Sequence, residues 1–181
     1  MILAKSNKIS LNKHTKDVLE CFNNLKKYIP YYLHKPIELA IVYHDFGKVI
    51  PFFQVKTLNN SDYPIANSEK DFPHSLFSIF FVKKENLNVD DEFKNYVISA
   101  IAYHHWRENF SYLIEYNQEV IKFLNSINEH KSVLIQLLRK EMEDLAEKLS
   151  IKIEYNEELE NNVKNLTPLF KYAIPPYGEN F

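Results

Sequence analysis

The sequence predicts a single all-α domain, and three observations carry that expectation. Apolar residues recur mainly at three- and four-residue spacing. Only two glycines, Gly47 and Gly178, occur in 181 residues, too few to turn a β-rich chain. A composition of 45% hydrophobic and 25% charged residues is that of a globular domain with a sizeable core. The scarcity of glycine also excludes a phosphate-cradling loop, since neither GxGxxG nor a P-loop is present. A single cysteine, Cys21, excludes an internal disulfide framework and any multi-cysteine zinc site. The purely apolar runs are short, Ile79-Phe80-Phe81-Val82 among them, and Met1-Ile2-Leu3 leads directly into lysine and asparagine. No membrane span and no signal peptide is expected, and the expected location is the cytoplasm.

The elements follow in order. Residues 12–29 read as a helix with Val18, Phe22, Leu25 and Ile29 on one stripe, ended by Pro30. Pro36 suits the first turn of a second helix, which carries Ile37, Ala40, Ile41 and His44 and stops near Gly47. Residues 57–73 are polar, contain two prolines, and read as a long loop. A third helix is expected from His74 to about Lys84. A fourth runs from Asp90 or Asp91 to His105, with acids in the first turn where the helix dipole favours them. Residues 116–128 and 131–149 read as two more helices, and 157–166 as another. The domain is drawn at 1–171. Residues 172–181, punctuated by Pro175 and Pro176, read as an extended tail or linker.

The net charge of −2 predicts no nucleic-acid partner by itself, but the charge is uneven. Residues 1–56 carry nine lysines against four acids, whereas the remainder carries thirteen basic residues against twenty acids. An anion-facing amino-terminal side is one reading of that asymmetry, and an ordinary solvated surface is the other.

Five of the seven histidines fall on the inward side of a predicted helix. His14 lies four residues before Val18. His44 follows Ile37 and Ile41 at i+7 and i+3, with Asp45 beside it. His74 opens the third helix on the face of Phe77 and Phe81. His104 and His105 follow Val97 and Ile101 at helical spacing. One such histidine is most simply a hydrogen-bonded core residue. Five on four helices, with an adjacent aspartate, need a common partner, because each buried imidazole costs free energy unless it is paired. A shared cation satisfies them together. Imidazole nitrogens with one carboxylate suit Mn, Fe, Co, Ni or Zn, while Mg asks for more oxygen. Five imidazoles exceed one tetrahedral site, so two divalent ions bridged by Asp45 is the economical arrangement, of a kind used on phosphoesters. His34 and His130 follow no such stripe and read as surface residues.

At His44-Asp45-Phe46-Gly47-Lys48, followed by Phe53-Gln54, the chain resembles the HD superfamily of metal-dependent phosphohydrolases. The order of His14, His44-Asp45 with Lys48, His74-Ser75 and His104-His105 narrows the likeness to the HD nuclease domain of the CRISPR protein Cas3, also found as the stand-alone Cas3″. The resemblance covers roughly residues 10–110. It implies an all-helical HD bundle with a metal centre between the helices and a nuclease acting on single-stranded DNA in CRISPR interference. It further implies His14, His44 and Asp45 on one metal, and Asp45, His74, His104 and His105 on the second. Asp45 and Lys48 would be the catalytic residues, with Lys48 facing the scissile phosphate; the plainer reading of Lys48 is an exposed helix-end lysine. The implied partners are single-stranded DNA, a Cas3 helicase domain or subunit, and the Cascade surveillance complex. The alternatives are an HD-type nucleotide phosphohydrolase or a non-catalytic HD binding module. One element departs from the pattern. HD domains supply a further aspartate from a late helix, and the only aspartate after His105 is Asp144, in a charged run that reads as solvated. That ligand is expected beyond Phe181 or not at all.

Overall fold

The structure, a computed structural model, describes residues 1–65, 71–105, 117–150 and 152–159. Among them the regular elements are helices: α1 (Leu11–Leu25), α2 (His34–Tyr43), α3 (His74–Ser78), α4 (Asp91–Tyr103), α5 (Asn117–Ile127) and α6 (Lys131–Leu149), joined by short 3₁₀ turns. Extended pairing among the described residues is limited to two isolated antiparallel bridges, Leu3 with Ser10 and Val82 with Tyr155. The all-α expectation holds. None of the described helices is long and apolar enough to cross a membrane.

Ser10 caps α1, its hydroxyl accepting from Lys13 N–H at 3.2 Å. The buried stripe of α1 is Leu11, Thr15, Leu19 and Phe22, one residue out of step with the expected Val18, Phe22, Leu25 and Ile29. Leu25 is 53% exposed, and Ile29 lies beyond the helix in extended backbone. Thr15 is fully buried because its hydroxyl donates back to the Leu11 carbonyl, which lets a polar residue occupy a core position. The packing partners α2 and α6, not the apolar pattern alone, select that face.

His34 is a second correction. It opens α2 half-buried, with Nε2 3.1 Å from the Lys26 carbonyl and 2.9 Å from that of Ile29. The ring nitrogen thus bridges two carbonyls of the turn that follows α1, and Phe22 meets the ring edge-on. His130 lies half-buried in the turn before α6.

The third expected helix is shorter than its pattern. It is regular from His74 to Ser78, tightens to a 3₁₀ turn over Ile79–Phe81 and leaves as extended chain at Val82. Residues 74–82 are all buried, so this segment has no solvent face and no amphipathic register to prolong a helix. It forms the centre of the core, with α4 and the turn after α2 packed against it. The 57–73 segment is anchored more firmly than its polarity implies. Leu58, Tyr63, Ile65 and Phe72 are buried, and the Tyr63 hydroxyl donates to the Val49 carbonyl. The helix expected over 157–166 falls almost wholly outside the described residues, as does the 172–181 tail.

Candidate metal centre

The candidate centre lies where the C-terminal ends of α2 and α4 meet the first turn of α1 and the start of α3. His44 and His104 are the residues at which α2 and α4 end, so both helices aim the negative ends of their dipoles at this point. The site favours positive charge before any side chain is counted.

Close approach of the backbones makes the site compact. The turn Phe46–Val49 packs directly on α3. A Cβ at Gly47 would overlap the His74 carbonyl oxygen and lie 2.9 Å from Ser78 N, so only glycine fits. Ser78 ties the same two segments together. Its hydroxyl accepts from Gly47 N–H at 2.8 Å and lies 2.6 Å from the His44 carbonyl and 2.9 Å from the His74 carbonyl.

Asp45, 1% exposed, sits in the middle with its two oxygens facing different histidines. Oδ2 lies 3.2 Å from His14 Nε2 and 3.2 Å from His44 Nε2. Oδ1 lies 3.3 Å from His74 Nε2 and 3.4 Å from His104 Nε2. His105 completes a second group, with potential ligand atoms of His74, His104 and His105 all within 4.8 Å of one another. Its ring is 5.3 Å from that of His74 and 4.4 Å from that of His104. The other four histidines are at least half-buried as expected, whereas His105 is exposed at the rim.

Hydrogen bonds at the far side of two rings fix what faces the centre. His44 Nδ1 lies 2.6 Å from the Ile41 carbonyl, and His104 Nδ1 lies 2.7 Å from that of Ile101. A carbonyl can only accept, so both Nδ1 atoms carry the proton, and the tautomer this selects for a neutral ring leaves a lone pair on Nε2. In that tautomer Nε2 of His44 and Nε2 of His104 have no proton to offer the Asp45 oxygens that they face. Asp45 Oδ1, His74 Nε2 and His104 Nε2 are buried without a hydrogen-bond partner. Filling the gaps at His44 and His104 with protons would place two imidazolium charges against one carboxylate, beside Lys48, in a desolvated site. A cation fits instead. Donors about 2.1 Å from one ion at tetrahedral or octahedral angles are ~3.0–3.4 Å apart, which matches the four observed separations. Burial acts to raise the Asp45 carboxyl, but the imidazoles of His104, His14, His44 and His74 outweigh it and hold the group well below the usual carboxylate range. Burial also pushes His74 down to about 4, in favour of the neutral form a metal would use.

Lys48 is 6% exposed, which removes the exposed helix-end reading. Its Nζ donates to Asp45 Oδ2 at 2.7 Å and to the Ala4 carbonyl at 3.1 Å. Asp144 is a surface residue, paired with Lys16 and Lys148, as its charged context indicated. The Phe53 ring lies 4.7 Å from that of His74 at a tilt of 57°, and Trp106 lies outside the described residues.

Sequence reasoning missed the support beneath Lys48. Gln54 is fully buried and binds both backbone groups of Leu3, so residues 2–4 lie across the back of the site. A buried glutamine after an aromatic was visible as a pattern, but its partners lie 51 residues away. The Ile41 and Ile101 carbonyls were legible in principle, since each histidine stands three residues after one at a helix end, where carbonyls lack intrahelical partners.

Two groups of imidazoles around one carboxylate in an all-helical frame form a cluster that could hold metal, the kind of site an HD-type hydrolase carries. The family model described as Cas3, HD domain matches residues 6–167, and the chain belongs to that family. No curated protein and no solved structure matches it. Membership brings with it an HD-type hydrolase and nuclease role and an association with CRISPR machinery and nucleic acid.

Proposed function

We propose that the chain is a divalent-metal-dependent nuclease that hydrolyses phosphodiester bonds of single-stranded DNA in CRISPR interference. The observation that carries this reading is the division of Asp45, with Oδ2 against His14 and His44 and Oδ1 against His74 and His104. In this reading His14, His44 and Asp45 hold one ion, and Asp45, His74, His104 and His105 hold a second. The imidazole-rich donor set favours Mn, Fe, Co or Ni, with Mg usable. Bound ions would supply an activated water and neutralise charge on the phosphate oxygens.

The chain's own residues have separable tasks. Asp45 bridges and fixes the spacing of the two ligand groups. The carbonyls of Ile41 and Ile101 hold His44 and His104 in the tautomer that leaves Nε2 free. Lys48 keeps a positive charge against Asp45 Oδ2, which orients the carboxylate and adds positive potential where phosphate charge develops. His105, at the exposed rim, is placed to meet substrate as it enters. No side-chain nucleophile is required; the thiol of Cys21 is exposed and outside the site. The working assembly is the domain with a Cas3 helicase domain or subunit and the Cascade surveillance complex, in the cytoplasm.

The test is cleavage of labelled single-stranded DNA, duplex DNA, mononucleotides and cyclic nucleotides across Mg, Mn, Co and Ni. Single-stranded DNA is the expected substrate, with binding that weakens as salt rises. Turnover confined to mononucleotides or cyclic nucleotides would move the chain to the small-nucleotide phosphohydrolases. A chain that binds no metal would be a non-catalytic module.

A further inference from the structure

A groove of about 580 Å³ runs along the seam between α2 and α4, away from the metal centre but in register with it. Its floor and walls include Ile37 and Ala40 from α2, and Phe93, Tyr96 and Ala100 from α4, with Tyr32 at its outer end. Ile37, Ala40 and His44 follow one another at three- and four-residue steps on α2. Tyr96, Ala100 and His104 do so on α4, each series lying on one helix face. The helices run side by side in the same direction. Tyr32 meets Phe93 at one end, ring centroids 6.0 Å apart, and His44 meets His104 at the other, 5.0 Å apart. The seam therefore leads to the rings that would hold metal.

The outer end of this groove is unusual for a surface. Tyr32 and Tyr96 line it and are 64% and 45% exposed, and Tyr28 and Tyr31, just before Tyr32 in the chain, are 74% and 87% exposed. Such exposed rings offer an aromatic platform beside the groove. Lysines are interleaved with them. Lys27 Nζ lies 4.8 Å over the Tyr28 ring, and Lys26 and Lys35 flank the corner, both pairing with Glu38. The opposite lip carries no such excess: Asp91 and Glu92 are exposed at the start of α4, and Lys94 pairs with Asp91 at 2.9 Å. Lys26, Lys27 and Lys35 against Glu38 leave the α1–α2 corner the more positive lip, where a polyanion would lie with its apolar groups turned into the groove. That division matches single-stranded nucleic acid: phosphates on lysine, bases on tyrosine rings.

We infer that the tyrosine–lysine corner and the α2–α4 groove form a binding track for single-stranded DNA, which delivers the strand to the His44/His104 end. This rests on the nuclease reading above and adds the route of the substrate. The ten residues of α2 span about 15 Å, room for about four nucleotides at ~3.4 Å each.

The test uses the full chain and a fluorescein-labelled twenty-nucleotide oligothymidylate. Binding is read by anisotropy in chelator, and cleavage in Mn is compared with hydrolysis of bis(p-nitrophenyl) phosphate. The Tyr31→Ala/Tyr32→Ala double variant should bind the oligonucleotide at least tenfold more weakly. Its preference in kcat/KM for oligonucleotide over small diester should fall by a similar factor. The Tyr31→Phe/Tyr32→Phe variant should stay within twofold of wild type, because stacking needs the ring and not the hydroxyl. A dinucleotide, too short to reach the corner, should not distinguish the variants. Equal binding by the alanine variant in a chain that still cleaves DNA overturns the track while leaving the nuclease reading intact. So does an alanine variant that alters only self-association, which would make the groove a protein interface. Failure of the wild-type chain both to bind and to cut DNA would remove the nuclease reading, and the track with it.

Discussion

Gln54 holds Leu3 from both sides: its Oε1 accepts from Leu3 N–H at 3.0 Å, and its Nε2 donates to the Leu3 carbonyl at 2.8 Å. The same amide reaches the Lys48 carbonyl at 2.7 Å and accepts from Asn60 Nδ2 at 2.8 Å, so its bonding capacity is filled. Residues 2–4 thereby become a strap whose Ala4 carbonyl steadies Lys48 against Asp45. Gln54→Leu would leave these buried backbone groups unpaired. Urea denaturation should record a loss of about 3 kcal/mol. A loss within about 0.5 kcal/mol, the range of an ordinary surface change, would mean that the strap is held by packing alone.

Asp45→Asn keeps the shape of the side chain but removes its charge, and the shared ligand with it. Hydrolysis should drop to background while the far-ultraviolet circular dichroism stays helical. His44→Ala should do the same. Elemental analysis of each purified variant should find less metal than in wild type. Wild-type turnover in a folded Asp45→Asn protein would remove the bridging role.

Gly47→Ala forces a methyl group into the His74 carbonyl. Backbone on both sides leaves no flexible end to yield, so destabilisation of about 3 kcal/mol is expected, at the upper end for an overpacked site. The strain also separates the Asp45 turn from α3, so metal affinity measured by titration calorimetry should fall with stability. An unchanged melting temperature would show that the two segments can slide apart at little cost.

Ligands drawn from positions 14 to 105 come together only in the folded chain, so a bound ion stabilises the native state by linkage. At about one hundred times its dissociation constant, Mn or Ni added to chelator-treated protein should raise the melting temperature by roughly 5–10 °C. An unchanged melting curve together with no metal in the purified protein would leave the histidines as core residues only.

The pH dependence of the metal-free fold follows from His74. Burial lowers its pKa to about 4 from an ordinary value of 6.5, so the unfolded chain binds a proton that the folded chain refuses. Stability from this residue is complete above pH 6.5 and falls as the pH drops from there toward about 4. His105 shifts in the same direction, through partial burial and its neighbour His104. Melting temperatures in chelator should decline across that window, and His74→Gln should flatten the decline. A flat wild-type profile would contradict a desolvated His74.

The sequence alone was sufficient for the helical class, for the inward face of α4 and for the set of histidines that meet at Asp45. These features are local. Helical periodicity and the identity of a metal-ligating side chain are carried by residues within a few positions of one another, and a family's motif preserves them in order. The tertiary structure decided which face of α1 is buried, because Leu11 and Leu19 are selected by α2 and α6 rather than by the spacing of Val18 and Phe22. It decided that α3 stops after Ser78, since a segment buried on every side has no apolar stripe to read. It turned Lys48 onto Asp45 and held it there through the Ala4 carbonyl, a partner 44 residues away. Above all, it assigned the two oxygens of Asp45 to separate pairs of histidines. That division depends on the relative rotation of four helices, which long-range packing sets and no local pattern encodes.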